Sequence, residues 1–166
     1  MAHRRGKVKP YRVAFFGHRD VEWSRHVDEA LEALILRLQR QQPYIEYWVG
    51  RHGDFDQFAT SAIRRVHKRI GWDRAVLVLV LPYMTAEFRD NQEAFLRYYG
   101  EVRIAESSSA VHPKGAIRAR NLKMVEQADL VVCFVTREEG GAYTAVSHAR
   151  RIGKPVWNLA DDGKRA

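Results

Sequence analysis

Short apolar runs closed by glycine or proline alternate along this chain with segments whose apolar positions recur at three- and four-residue spacing. "YRVAFFG" at 11–17 is apolar and β-prone and stops at Gly17, which predicts a buried strand. The loop "GHRDVEWS" follows, with Ser24 placed as an N-cap whose hydroxyl accepts from a free amide of the first helical turn. Val27, Ala30, Leu31, Leu34, Ile35 and Leu38 then give a helix one apolar face, and Pro43 breaks it. "YIEYWVG" predicts a second strand ending at Gly50. Asp54 and Gln57 have capping-box spacing at the start of the next helix. Its buried stripe is Phe55, Phe58, Ala59, Ala62, Ile63, Val66 and Ile70, and Gly71 ends it. "RAVLVLVLP" is apolar throughout, as a parallel strand covered on both faces should be.

Residues 83–115 are less regular. Asp90 and Glu93 are placed to cap a short helix over 91–99, and "EVRIAESSSAVHPKG" holds a short strand and then a loop. A helix is predicted from 116 to 127, and "DLVVCFV" is a fourth long strand. Gly140 and Gly141 precede a helix with the face Ala142, Ala145, Val146, Ala149 and Ile152, and "GKPVWNLA" is the last strand. This alternation predicts an α/β fold, a Rossmann-like three-layer sandwich with a mainly parallel sheet of about five or more strands and right-handed crossovers. No internal repeat or linker interrupts it, so residues 11–166 are expected to form one domain behind a flexible basic arm at 1–10.

Composition narrows the partners. At 46% hydrophobic and 29% charged, the chain falls outside the disordered class. No apolar run approaches the roughly 20 residues that span a bilayer, so no membrane partner is expected. "MAHRRGKVKP" has no apolar segment behind it and is not read as a secretory signal, so a cytoplasmic protein is expected. The single cysteine, Cys133 in "LVVCFV", rules out an intramolecular disulfide framework and reads as a core residue. A net charge of +8 favours anionic partners (nucleotides, nucleic acid or acidic proteins) without choosing among them. "RRVHKR" at 64–69 reads as the solvated face of a helix.

In such folds ligands gather beyond the carboxyl ends of the strands. The glycine-rich and polar stretches of this chain fall there. In Gly17-His18-Arg19-Asp20 the arginine can bind phosphate bidentately, and the aspartate can accept from a ribose hydroxyl. Gly50, His52, Gly53 and Asp56 follow the second strand, and the glycines leave free amides near a helix N-terminus, where the dipole favours anions. Asp56 serves either that dipole or a ribose, and His52 either donates to phosphate or acts as an acid or base. Arg120 and Asn121 lie on the helix before the fourth strand. After it, Thr136 and the loop Gly140-Gly141-Ala142 can face a phosphate with backbone amides, Thr144 adding a hydroxyl. The chain has neither a Walker lysine pattern nor G-x-G-x-x-G. His18, His52 and His148 lack a recognised metal spacing and no cysteine pairs support zinc, so neither a metal nor a cofactor is expected.

The order "FFGHRD", "VGRHGDFD", "RARNLKMVEQADLVVCFV", "GGAYTAVSHARRIGKPVWNLA" resembles the SLOG superfamily. This is the Rossmann-like group containing the Lonely Guy phosphoribohydrolases and the DNA-processing Smf proteins. The chain is most similar to the small bacterial and phage-encoded members. The resemblance covers residues 11–160 and is least clear over 83–115. It implies a nucleotide or nucleotide-derived ligand held by the glycine loops. It also implies a homo-oligomer, to which 83–115 can supply an interface.

Lonely Guy enzymes carry R-K-x-x-M before the fourth strand and P-G-G-x-G-T-x-x-E after it, the arginine and glutamate acting in N-glycosidic cleavage. Here Arg120, Met124, Gly140, Gly141 and Thr144 match. Asn121 replaces the lysine, Glu139 the proline, Tyr143 the third glycine and Ser147 the glutamate. Cleavage passes through an oxocarbenium-like state in which a carboxylate positions or activates water, and an uncharged serine is a poor base. The resemblance therefore implies ligand binding or sensing first, with no catalytic residue assigned. A glycosidase that uses Asp56, Asp20, Glu138 or Glu139 instead is the alternative. Smf proteins bind single-stranded DNA, so nucleic-acid binding stays open, with Trp23, Tyr83, Tyr98 and Tyr99 as stacking residues.

Overall fold

In the computed structural model, which describes residues 8–105 and 113–162, every predicted apolar run becomes a strand of one sheet. The strands are β1 (Tyr11–Gly17), β2 (Ile45–Val49), β3 (Ala75–Leu81), β4 (Glu101–Ile104), β5 (Leu130–Phe134) and β6 (Val156–Asn158). They run in the order β4-β3-β2-β1-β5-β6, and all five pairings are parallel. The helices are α1 (Arg25–Gln41), α2 (Asp54–Ile70), α3 (Ala86–Asp90), α4 (Gln92–Tyr98), α5 (Pro113–Gln127), α6 (Gly141–Arg151) and α7 (Leu159–Asp162). Part of the basic arm, residues 1–7, and the segment 106–112 lie outside the described residues.

Side chains alternate across a strand, so each buried strand feeds two cores. Val13, Phe15, Tyr47, Leu77, Leu79 and Leu81 pack with Leu31, Ile35, Phe55 and Ile63 of α1 and α2. Ala14, Phe16, Trp48, Val78, Val80 and Cys133 pack on the other face with Met124 and Val125 of α5 and Ala145, Val146 and Ala149 of α6. This is the Rossmann-like three-layer arrangement read from the alternation. Burial on both faces explains why β3 carries no polar residue.

Local details differ from the sequence reading. Ser24 caps α1 as expected, accepting from the amide of Val27 at 3.1 Å. The Asp54–Gln57 capping box does not form. Gly53 is the N-cap of α2, and the Asp54 carboxylate accepts from the amide of Val21 at 3.1 Å. It thereby ties the loop after β1 to α2. Ile70 and Ile152, read as core, are 48% and 42% exposed: Ile70 is the last residue of α2, and Ile152 is the cap that follows α6. Thr85 caps α3, a helix the periodicity does not announce, and α4 begins after Asn91 rather than on a cap from Asp90 or Glu93. The last strand is only Val156–Asn158, since residues 159–162 turn helical. Helix α5 begins at Pro113, three residues before the predicted start at 116.

A buried polar chain at the opposite end of the sheet has no signal in the periodicity. His67 Nε2 contacts the Tyr47 hydroxyl at 3.0 Å, and that hydroxyl donates to Gln39 Oε1 at 3.0 Å. The Gln39 amide donates to the Arg74 carbonyl at 3.1 Å, which closes the network with every member engaged.

Candidate functional site

Chain connectivity leaves β4 on one edge of the sheet and returns to its centre, so the strand order reverses between β1 and β5. A crevice opens beyond the carboxyl ends of strands at such a point. His18 lies at its base, 5% exposed, directly after β1. Its amide donates to the Phe134 carbonyl at 3.3 Å, and its Nε2 accepts from the amides of Thr136 at 2.9 Å and Arg137 at 3.3 Å. An imidazole nitrogen that accepts two N–H groups carries no proton, so the ring is neutral with its hydrogen on Nδ1. Burial lowers the His18 pKa, the nearby Arg137 lowers it further, and Asp20 and Glu139 oppose them. His18 therefore shapes the β5–α6 loop.

The glycines that end β1 and follow β2, Gly17 and Gly50, are set by packing beneath the crevice. A Cβ on Gly17 would lie 2.3 Å from the Phe55 side chain. A Cβ on Gly50 would lie 2.9 Å from Asp56 Oδ2 and 3.4 Å from an Arg120 guanidinium nitrogen. Gly17→Ala is accordingly expected to cost about 1–3 kcal/mol by overpacking. That is roughly 2–12 °C in a chain of this size, at about 2–4 °C per kcal/mol. A thermal melt reads it, and an unchanged Tm would mean that Phe55 can swing aside.

Asp56 and Arg120 meet beside Gly50. Burial raises the Asp56 carboxyl to a pKa of about 6, against the pull of Arg120 and of the backbone amides of Gly53 and His52. Arg120 comes from α5 on the other sheet face. It donates to the Val80 carbonyl at 3.1 Å and to Asn121 Oδ1 at 3.0 Å. Burial lowers its pKa and Asp56 raises it. His52 is exposed on the rim, and desolvation followed by Arg120, Arg51 and Arg19 holds its pKa below the ordinary value.

Opposite, Gly140 adopts φ +94°, a conformation L side chains rarely reach, and turns the chain into α6 at Gly141. Arg137 reaches across to Asp20 at 3.1 Å and lies 4.0 Å from Glu139. That ion pair holds Asp20, whose hydrogen bond to Arg137 keeps its pKa below the usual value. Asn158 braces the same loop, its side chain bonding both the amide and the carbonyl of Val135, at 3.1 and 2.9 Å.

These loops enclose one cleft of about 530 Å³. Every sequence-predicted site residue lines it except Thr136 and Thr144. The Thr136 amide is already engaged by His18. Thr144 Oγ1 donates to the Gly140 carbonyl at 3.1 Å and faces a smaller neighbouring pocket with Arg118 and Leu122. Ser147 is half-buried on α6 and is not part of the lining. Lys114, Ile117 and Arg137 line the cleft without having been anticipated, and Met124, read as core, reaches its floor. Only the place of Arg137 in the loop that follows a strand would have marked it.

No family model matches the sequence, and no curated protein matches it. Among solved structures, DNA processing protein A (DprA) from Streptococcus pneumoniae is similar with a TM-score of 0.63 and 16% identity, over 89% of this chain and 49% of that one. The chain thus spans about half of that protein's length. DNA processing protein A from Helicobacter pylori, whose structure concerns its single-stranded DNA binding mode, is similar with a TM-score of 0.61 and 14% identity, over 94% of this chain and 72% of that one. At such identities the likeness is one of fold. It agrees with the Rossmann-like architecture. Among the described residues no helix is long and apolar enough to cross a membrane.

Proposed function

We propose that the cleft at the β1–β5 reversal binds a nucleotide-derived ligand. Its phosphate lies on the amides of Gly140, Gly141 and Ala142 at the start of α6, where the helix dipole favours an anion. Arg19, Lys114 and Arg137 supply positive charge around it, and Asp56 or Asp20 accepts from a ribose hydroxyl. The observation that carries this reading is the half-buried guanidinium of Arg120 beside Gly50 and Asp56, at the meeting of loops from both halves of the sheet. A cleft of about 530 Å³ is in the range of small-molecule sites.

One observation favours hydrolysis as a second reading. A carboxyl titrating at about 6 inside a cleft is poised to exchange protons near neutral pH. Asp56 thus takes the role that Ser147 cannot. The Helicobacter pylori relative's DNA-binding mode supports single-stranded nucleic acid as a third.

Incubation with AMP, ADP-ribose, NAD and cyclic nucleotides, read by melting shift and released base together, with a salt titration of single-stranded DNA binding beside it, separates the three. Binding predicts a higher Tm with the nucleotide intact, about 2.7 kcal/mol of stabilisation at a hundredfold excess over Kd. Hydrolysis predicts free base, suppressed by Asp56→Asn. Strand binding predicts affinity that falls steeply with salt. No shift with any nucleotide would refute the proposed ligand class.

A further inference from the structure

The cleft does not end at Gly50. A second pocket of about 520 Å³ adjoins it and shares Gly50, His52 and Asp56 with it. We propose that this second pocket receives the second nucleobase of a ligand made of two phosphate-linked nucleotide units. The inference rests on the nucleotide reading of the first cleft and names its ligand class.

The far pocket is built for a flat ring. The Arg51 guanidinium lies over the Phe95 ring, 4.5 Å from its centroid, and its edge is held by Glu87 at 2.7 Å. A guanidinium fixed on one face by an aromatic ring and at its edge by a carboxylate offers its other face as a stacking plane, a surface that bases use in single-stranded recognition. Tyr98 lines the same pocket, and Arg64, which lines a neighbouring pocket instead, sits over its ring at 3.9 Å and braces it. Ser61 and Gln57 of α2 present polar groups within reach of a base edge. Each pocket alone lies within the volume range of a small-molecule site, so a ligand that fills one leaves room for a second unit in the other. Where they join, residue 50 has no side chain, while His52 and Asp56 face both pockets and can meet a linking phosphate and a ribose hydroxyl respectively. Two units joined through phosphate therefore match the pair of pockets, whether as a free dinucleotide or as two successive residues of a single strand.

Calorimetric titration of the full chain with AMP, 5′-phosphorylated pApA and a ten-residue adenylate strand tests this. Binding of pApA is expected to be at least about tenfold tighter than AMP, the scale of one added stacking contact. Arg51→Ala should remove most of that gain. So should Ala94→Trp, which fills the far pocket from an exposed position on α4, with AMP affinity in that variant reporting that the first cleft is intact. Affinity that stops rising at two units identifies a free dinucleotide, and affinity that keeps rising with length identifies a strand. Equal affinities for AMP and pApA, or a gain that survives both variants, overturn the inference while leaving the first cleft's reading in place. Failure of all three ligands to bind overturns both.

Discussion

Arg120→Ala is expected to weaken nucleotide binding by about two orders of magnitude, the loss of one charged contact to the ligand in the cleft together with the order the guanidinium imposes on Gly50, Asp56 and Asn121. It should also raise the Asp56 pKa above its value of about 6. Both effects come from one guanidinium. Burial is the largest influence on Asp56 and raises its pKa, and Arg120 is the first of the influences that oppose it. Without Arg120, desolvation acts with less opposition. The variant also strips the Val80 carbonyl of a charged donor, a loss of about 1.5–3 kcal/mol in stability.

The pH dependence has a definite sign. The folded chain keeps the Asp56 proton to about 6, while an unfolded chain releases it near 3.8. More protons are bound in the folded state across that window, so this group makes stability fall as pH rises through it, and the loss is complete above it. Arg120→Ala stretches the window upward, so the variant should lose more stability between pH 5 and pH 8 than the parent. Carboxyl-carbon NMR of Asp56 gives the midpoint directly, and calorimetry with AMP gives the affinity. A midpoint and an affinity both unmoved by the substitution would separate Arg120 from the site.

Much of this arrangement was legible in the chain, for identifiable reasons. Burial on both faces forces strands such as "AVLVLVL" to be wholly apolar, and the helices between them show a single stripe, so element type and layering follow from period alone. The carboxyl-end rule then collects Gly17 to Asp20, Gly50 to Asp56 and Gly140 to Ala142 on one edge without knowledge of the strand order. The strand order itself was not readable. Nothing local says that β5 returns beside β1 rather than extending the sheet past β4, and that return is what brings His18 against Thr136 and Arg137. For two of the glycines the structure shows a packing reason that the sequence does not. Gly17 and Gly50 answer to Phe55, Asp56 and Arg120, partners distant in sequence. Asp54 illustrates the same limit. Its spacing to Gln57 suggested a local cap, but a long-range bond to the Val21 amide takes its carboxylate.

His18 is where a distant contact and the cleft's acid sensitivity coincide, and His18→Phe is expected to abolish nucleotide binding while keeping the fold. The substitution preserves a ring of similar breadth at a buried position but removes the acceptor of the Thr136 and Arg137 amides. Each amide left without a partner costs about 1–3 kcal/mol, towards the lower end where the loop can open to water. Opening displaces Arg137 from Asp20 and frees the approach to Gly140, so the phosphate amides lose their alignment. Acid should produce the same result in the parent chain. The folded pKa of His18 is below its ordinary value of 6.5, first through burial and then through Arg137, with Asp20 and Glu139 opposing. Such a group binds fewer protons folded than unfolded, so its contribution is complete above about 6.5 and is lost as pH falls towards the depressed value. Protonation turns Nε2 from an acceptor into a donor facing two other donors. His52 and His67 are shifted in the same direction and add to the acid loss, whereas Asp56 works against it below about 6. His18→Phe should therefore melt at a lower temperature at pH 7.5 and show a shallower decline between pH 6.5 and 5. Imidazole NMR should show the His18 ring neutral at pH 7 with its proton on Nδ1. A variant that binds AMP normally, or that declines in acid as steeply as the parent, would show that the loop is held by Asn158 and the Arg137–Asp20 pair without the imidazole.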